Sequence, residues 1–294
     1  MILTDASVLS LLSDIGEMMS ECEDKKLIGS GSFGNVYKVK ENGEIFALKE
    51  MTDASIRDRE EKFLKLADHP LFPKFVRSFD EDGKFYILEE YIWGTPLDEA
   101  IELRGGFGQP ESMKFAISVA DGIAFLQQSD GNILFRDLKA ENLILQPDGE
   151  VRLCDLGAAC FLDEADRSKA GTAGESAPEQ IDNKSKQGMY SDVYAFGVLF
   201  YRMLTGKKAP AGEDYISIRS ADPSFSAALE LLIRECTLKD VNARIPDMYT
   251  VLCRMMDIAM LTPSGYKKAE KEAEASLKEF DGGAGVIYSR NVQS

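Results

Sequence analysis

Apolar and polar residues follow two different periods along the chain. Short strand-like runs at 27–39, 44–49 and 85–92 are separated by Asn42-Gly43 and Asp82-Gly83, which is typical of antiparallel hairpins. From Gly94 onward the spacing becomes helical, most clearly over 111–128, 191–206 and 225–260. The pattern therefore predicts an α+β protein with a sheet in its first part and mainly helices in its second.

Each end of the chain adds a helical pattern. Apolar residues from Val8 to Cys22 recur at helical spacing with acidic residues between them, so an amphipathic helical extension is expected over 1–24. Its apolar stripe either packs on the protein itself or provides a surface for self-association or partner docking. The acidic polar face disfavours a membrane-surface role. A second, charged helix from Lys267 to Phe280 is expected within a C-terminal tail, 263–294.

Charge and cysteine usage narrow the class of protein. The 34 Lys and Arg residues against 50 Asp and Glu give a net charge of -16, which disfavours nonspecific binding to nucleic acid or to an anionic membrane. The five cysteines form no C-x-x-C pair and there is a single histidine, so the residues for a zinc site are few. No apolar run reaches the ~18 residues of a membrane helix. A cytoplasmic protein with reduced thiols is expected.

A glycine-rich turn, Gly29-Ser30-Gly31-Ser32-Phe33-Gly34, lies between two strand-like arms. Glycines at these positions let the backbone approach a phosphate chain and offer amide donors to it. A dinucleotide-binding turn has the same spacing, but it opens a helix, whereas a strand follows here. Lys49 ends the next strand; taken alone, a lysine there is usually a solvated edge charge.

Three later segments bring together groups suited to phosphate chemistry. Asp137, Lys139 and Asn142 place a carboxylate, an ammonium and an amide at fixed offsets before an apolar run. A strand-like segment then leads into Asp155-Leu156-Gly157, and Ala177-Pro178-Glu179 closes a stretch rich in small residues. Any one of these segments also occurs in ordinary surface turns, so the argument depends on their order.

In this order the motifs resemble those of eukaryotic-type serine/threonine protein kinases. The pattern H-R-D-L-x-x-x-N is matched by 135–142 with Phe135 in place of His, and D-F-G is matched with Leu156 in place of Phe. The resemblance covers about residues 25–260. It implies a two-lobed protein kinase fold, with a small antiparallel-sheet N-lobe over 25–92 and a mainly helical C-lobe over 93–262.

The resemblance also implies a role for each matched residue. Asp137 would accept the proton of the substrate hydroxyl and Lys139 would steady the γ-phosphate, while Asn142 and Asp155 would hold Mg²⁺. Lys49 would bind the α- and β-phosphates and pair with Glu60, which projects from the same helix face as Phe63 and Leu64. The nucleotide-binding positions would be Ile28, Gly29, Gly31, Phe33, Gly34, Val36, Ala47, Lys49, Glu90 and Ile92.

Three positions depart from the family pattern or add to it. Glu89 occupies the gatekeeper position, normally apolar or small, and is expected to compete with Glu60 for Lys49 and so to damp activity. Glu175 replaces a common Tyr and suggests an acidic pocket that favours basic or hydroxylated residues near the target. Ser168 lies where an activating phosphate is found in the family, although it is equally well an exposed serine.

The sequence thus predicts an ATP- and Mg²⁺-dependent serine/threonine kinase that acts on protein hydroxyls, with autophosphorylation. Phe135, Leu156 and Glu89 support an alternative from another class, a pseudokinase that binds nucleotide or serves as a scaffold. A small-molecule kinase of the aminoglycoside phosphotransferase type is disfavoured, because those relatives should lack the A-P-E motif and Thr172.

Overall fold

The computed structural model describes residues 23–31, 34–167, 171–182, 186–210, 213–260 and 263–281. The helix expected between Val8 and Cys22 lies outside these ranges, as do Phe33 and Ser168. The described residues fall into two compact units. The first comprises the residues up to Asp68 and Phe72–Trp93; the second comprises His69–Leu71 and the residues from Gly94 onward.

The first unit is an antiparallel sheet with one helix. Its elements are β1 (Glu23–Gly31), β2 (Gly34–Glu41), β3 (Glu44–Met51), α1 (Ala54–Leu66), β4 (Phe75–Glu81) and β5 (Lys84–Glu90). The strand order is β1-β2-β3-β5-β4. Asn42 and Gly43 both have positive φ, 51° and 85°, and this conformation closes a two-residue hairpin without splaying its strands.

The two faces of this sheet differ in character. Val39, Leu48, Phe79, Tyr86 and Leu88 form a buried apolar cluster on one face. Lys49, which neighbours Leu48 in β3, points to the other face because successive side chains in a strand alternate. Lys49 is therefore the one charged residue of β3 on the face opposite this apolar cluster.

Helix α1 begins where the sequence places a cap. The Asp53 carboxylate accepts a hydrogen bond from the Ser55 amide at 2.8 Å, which satisfies one of the free donors of the first turn. The helix buries Glu60, Phe63 and Leu64 and ends at Leu66. The sequence offers Thr52 or Asp53 as the N-cap, and the helix uses Asp53. The inward position of Glu60 is as the sequence predicts.

The second unit is mainly helical and holds several short strands. Its elements are β6 (Thr95–Pro96), α2 (Leu97–Arg104), α3 (Gln109–Gln128), β7 (Ile133–Leu134), β8 (Leu143–Leu145), β9 (Val151–Leu153), β10 (Cys160–Phe161), α4 (Pro178–Asp182), α5 (Met189–Thr205), α6 (Ala227–Cys236), α7 (Met248–Ala259) and α8 (Pro263–Asp281). The predicted α+β class is confirmed, with a sheet in the first part of the chain and mainly helices in the second.

The final helical region expected over 225–260 is in fact two helices, α6 and α7. Between them the chain turns at Asp240, whose carbonyl accepts from the Arg244 amide at 3.0 Å. Pro246 then follows, and the Asp247 carboxylate caps α7 by accepting from the Thr250 amide at 2.8 Å. Proline and an N-cap aspartate both favour a new helix start, and this explains the break.

Helix α8 packs against α6. Ala273 and Leu277 of α8 form a buried cluster with Ala227 and Ala228 of α6. The Glu270 carboxylate accepts from Ser226 Oγ at 2.5 Å and from the Ala227 and Ala228 amides at 2.8 and 3.2 Å. A carboxylate at the start of a helix satisfies free amides and complements the helix dipole, so α8 is an integral part of the second unit.

No helix in the described ranges is long and apolar enough to cross a membrane.

Candidate active site

The β8–β9 hairpin fixes the positions of Asn142 and Asp155. Leu143 pairs with Leu153, and the Cys154 amide donates to the Asn142 carbonyl at 2.9 Å. Asn142 stands just before β8 and Asp155 just after β9, so antiparallel pairing brings both residues to the same end of the hairpin. The carboxylate of Asp155 accepts from the Gly157 amide at 2.8 Å through Oδ1.

Asp137 is the centre of a hydrogen-bonded group. Lys139 Nζ lies 2.8 Å from Asp137 Oδ2, and Thr172 Oγ1 donates to Asp137 Oδ1 at 3.1 Å. Asn142 Nδ2 donates to the Asp137 carbonyl at 2.8 Å and to its Oδ2 at 3.1 Å. The Asp137 side chain keeps 17% of its surface exposed. It is therefore anchored on both oxygens and still reachable from solvent.

A buried aspartate of α5 holds the backbone of this loop. Asp192 accepts from the Phe135 amide at 3.0 Å, from the Arg136 amide at 2.8 Å and from Gln127 Nε2 at 3.3 Å. Complete burial raises the pKa of the Asp192 carboxyl, and these hydrogen bonds oppose that effect. Two successive amides bound by one carboxylate fix the direction of the chain just before Asp137.

The side chain of Arg136 is buried in the interior of the second unit, where it bonds backbone carbonyls. Only 1% of its surface is exposed, and its Nε donates to the Ala158 carbonyl at 2.8 Å. Its φ of 71° is uncommon for a residue with a side chain. Gln180 Nε2 donates to the Arg136 carbonyl at 2.9 Å, so the loop is also tied to α4. The family resemblance also implies that Arg136 would pair with a phosphate on Ser168, and this stays a prediction because Ser168 lies outside the described residues.

In the first unit, Lys49 lies between two carboxylates. It forms an ion pair with Glu60 of α1, and its Nζ lies 3.3 Å from Glu89 Oε1. Lys49 pairs in register with Ile87 and Ala47 pairs with Glu89, so Lys49 and Glu89 are diagonal neighbours on one sheet face. All three charged side chains are nearly buried. Glu89 therefore joins the Lys49–Glu60 pair and does not displace Glu60.

The predicted nucleotide positions of the first unit lie along β1 to β5. Val36 pairs in register with Lys49 and therefore shares its face, as does Ala47. A Cβ on Gly31 would meet no atom within 4 Å, whereas one on Gly34 would come within 1.9 Å of the Glu50 carbonyl oxygen. Gly34 has a φ of 145°, so two constraints require glycine there.

At the far end of β5, the amide of Glu90 donates to the Lys74 carbonyl at 2.9 Å and cannot also donate to a base. Ile92 follows the strand. Ile28 is 46% exposed in β1, and Gly29 neighbours it. The structure describes each of these positions in the first unit except Phe33. Their roles in nucleotide binding stay predictions.

A charged residue without a predicted role lies in the last turn of α5. Arg202 Nη1 lies 2.8 Å from Glu141 Oε1 and 3.3 Å from Glu175 Oε1. Burial opposes ionisation, but the hydrogen bond from Arg202 lowers the pKa of the Glu141 carboxyl. Burial and then repulsion by Glu141 raise the pKa of Glu175. The acidic pocket expected from Glu175 thus holds its own arginine, and the only signal for it in the sequence is a lone cation in an apolar helix.

The donor set of the second unit fits a magnesium ion. Asn142 uses its amide nitrogen in bonds to Asp137, so its side-chain oxygen is an available acceptor. Asp155 uses Oδ1 for the Gly157 amide, and Oδ2 is a second candidate oxygen. Hard oxygen ligands of this type suit Mg²⁺, which keeps several waters and needs few protein ligands.

The sequence is similar to those of several known proteins. Residues 22–256 match the family model described as "Protein kinase domain". The human cAMP-dependent protein kinase catalytic subunit PRKX is 31% identical over 61% of this chain and 52% of its own length. The cAMP-dependent protein kinase type 3 of Saccharomyces cerevisiae is 25% identical over 78% of this chain and 62% of its own length. The serine/threonine-protein kinase AtPK1/AtPK6 of Arabidopsis thaliana is 31% identical over 64% of this chain and 43% of its own length. The matches therefore span less than two thirds of each of these three relatives.

Proposed function

Because the chain belongs to the protein kinase family, we propose that it is an active serine/threonine kinase that transfers the γ-phosphate of Mg-ATP to hydroxyl groups of proteins, itself included. The observation that carries this proposal is the group around Asp137. Its carboxylate is held by Lys139, Thr172 and Asn142 and remains accessible. A positioned base with an adjacent cation is the main requirement for phosphoryl transfer.

Each residue then has a distinct task. Asp137 orients the substrate hydroxyl and accepts its proton, and Lys139 offsets negative charge that builds up on the transferred phosphoryl group. Thr172 keeps the Asp137 carboxylate in one orientation. Asn142 and Asp155 would hold Mg²⁺, which neutralises charge on the triphosphate when it is bound.

The first unit would bind the nucleotide. The Lys49 ammonium, steadied by Glu60, would contact the phosphates, and the Gly29 and Gly31 backbone is open enough for close approach. Ala47 and Val36 lie on the same sheet face as Lys49 and would pack against the base. These roles are proposed from the resemblance and from the placement of the side chains.

The departures at Phe135 and Leu156 do not weigh against activity. Phe135 is fully buried and Leu156 is 1% exposed, so both side chains act in packing. Neither carries an ionisable group, and neither is one of the hydrogen-bond partners of Asp137. Glu89 is different, because it lies against Lys49 and partly neutralises it. It is the observation that favours the second candidate function, a pseudokinase that binds nucleotide or a partner without phosphoryl transfer.

Labelled ATP, Mg²⁺ and a mixture of acidic and basic protein substrates separate the two functions. We expect label on the protein itself and on a substrate, and a loss of at least 100-fold in Asp137→Asn, since base and positioning are removed together. Asp130→Asn is a matched control at an exposed position away from the group. Equal labelling by wild type and Asp137→Asn would overturn the proposal.

The surface formed by residues 1–24, as a self-association or docking site, and a cytoplasmic location stay predictions from the sequence. Protein substrates follow from the proposed activity.

A further inference from the structure

A cavity opens beside Asp137 in the second unit. It measures about 340 Å³ and is lined by Lys139, Glu141, Thr172, Ala173, Gly174, Glu175, Val198, Arg202, Lys208 and Ala209. Two of these residues, Lys139 and Thr172, are themselves bonded to the Asp137 carboxylate. A side chain that neighbours the acceptor hydroxyl in a bound peptide would therefore lie within reach of this cavity.

The two carboxylates of the cavity already have a cation. Arg202 is 7% exposed and bonds both Glu141 and Glu175 through the single nitrogen Nη1. Asp98, in the first turn of α2, adds a weaker attraction for Arg202. Arg202 occupies the place that a basic side chain of a substrate would take, so the acidic residues of the cavity are not open to such a side chain.

The cations of the cavity, unlike its carboxylates, keep hydrogen-bond donors that no carboxylate in the described ranges accepts. A guanidinium has five N–H donors, and Arg202 uses only those of Nη1 on the carboxylates. Lys208 is exposed and forms no ion pair or hydrogen bond with any described residue. Its positive charge acts favourably on the Glu175 carboxylate.

We propose that this cavity selects an acidic side chain of the protein substrate, near the target serine or threonine, and that Lys208 and Arg202 recognise it. The inference rests on the proposed kinase activity. A carboxylate would gain Lys208 and the unused donors of Arg202, whereas a substrate arginine or lysine would meet Lys139, Arg202 and Lys208 together. Like charges placed side by side are an effective device for rejecting a partner.

This preference is the reverse of the one that the overall charge of the protein would produce. At a net charge of -16, long-range attraction favours basic peptides. Selection of an acidic residue must therefore come from the local contacts in the cavity. It should persist at 0.3 M salt better than a general charge effect, because partly buried pairs are screened less than exposed ones.

The test uses the full-length protein and a set of peptides with one central serine. Glutamate, alanine and arginine are placed in turn at each of three positions on either side of the serine, and kcat/KM is measured for each peptide. We expect one position at which the glutamate peptide exceeds the arginine peptide by at least fivefold. Lys208→Glu should abolish or reverse this ratio, with the alanine peptide as the reference for each variant.

Lys207→Glu provides the matched control, since Lys207 is the adjacent exposed lysine and does not line the cavity. It should keep the wild-type ratio. Three outcomes would each overturn the inference: no charge preference among the peptides, a preference for arginine, or an equal effect of Lys207→Glu and Lys208→Glu. Each of them would leave the proposed kinase activity intact. Absence of transfer to every peptide and to the protein itself would overturn the proposed function, and this inference with it.

Discussion

Arg244 and Glu179 form a two-point ion pair inside the second unit. Arg244 Nη1 lies 2.6 Å from Glu179 Oε1 and Nη2 lies 3.2 Å from Oε2, and neither side chain is more than 2% exposed. Ser191 Oγ also donates to Glu179 at 2.9 Å. The pair joins the segment before α7 to α4 and α5, so the A-P-E glutamate is anchored in the interior.

Removal of one partner should be costly. Arg244→Met leaves the Glu179 carboxylate buried without its cation, and we expect the free energy of unfolding to fall by about 3–5 kcal/mol. Urea unfolding measures this change. Arg104→Met is the control, because its pair with Glu111 is exposed and should contribute less than about 1 kcal/mol. Equal losses in the two variants would contradict the prediction.

Glu175 and Glu141 should affect stability with opposite pH dependence. The pKa of Glu175 is raised above its ordinary value of 4.5 in the folded protein, so the folded state holds this proton longer than the unfolded state. Its contribution to stability is therefore present at low pH and is lost as the pH rises above 4.5 through the folded pKa. The pKa of Glu141 is lowered, so its contribution is present above 4.5 and is lost as the pH falls through the folded pKa.

Stability curves of two variants test this assignment. Glu175→Gln should gain stability relative to wild type as the pH rises from 4 to 7, and Glu141→Gln should lose it over the same range. Urea unfolding at each pH gives both differences. Parallel curves for the two variants would show that Arg202 does not divide its effect between the carboxylates in this way.

Glu89 should restrain the activity. Lys49 is held by Glu60 and Glu89 together, so the ammonium is partly neutralised before it meets phosphate. Glu89→Met should raise ATP turnover by about threefold, which corresponds to a barrier lower by about 0.65 kcal/mol. Glu60→Gln is the comparison and should lower turnover. Unchanged or lower turnover in Glu89→Met would count against a damping role.

Glu270 should stabilise α6 although it belongs to another helix. It accepts from Ser226 Oγ and from the Ala227 and Ala228 amides. Glu270→Gln retains the size of the side chain but removes the charge, and we expect a loss of about 1–2 kcal/mol in the free energy of unfolding. Thermal and urea unfolding measure it. Glu272→Gln, at an exposed i,i+4 pair with Lys268, should change stability by less than about 0.5 kcal/mol.

Local patterns predict much of the fold. The turn at Asn42-Gly43, the cap at Asp53 and the inward face that carries Glu60 depend on spacing within a few residues, which periodicity and capping chemistry describe directly. The order of the motifs predicts the kinase family, and the match over 22–256 confirms it. Periodicity does not locate the break between α6 and α7, because the apolar residues of 225–260 continue at helical spacing on both sides of Pro246.

Contacts between distant residues were not predictable in the same way. Arg202 lies 61 positions from Glu141 and 27 from Glu175, and only the folded chain brings the three together. For the same reason Glu175 reads as a free carboxylate in the sequence and is an ion-pair partner in the structure. The bond from Glu270 to Ser226 likewise joins residues 44 apart.

The packing of α8 on α6 also bears on how the protein should be expressed. A chain cut at 262, where the kinase pattern ends, would leave Ala227 and Ala228 in contact with water and the α6 amides without the Glu270 carboxylate. An apolar patch beside a frayed helix start favours association between copies. Such a shortened enzyme should give lower soluble yield and more aggregate on gel filtration than a chain that extends to 281.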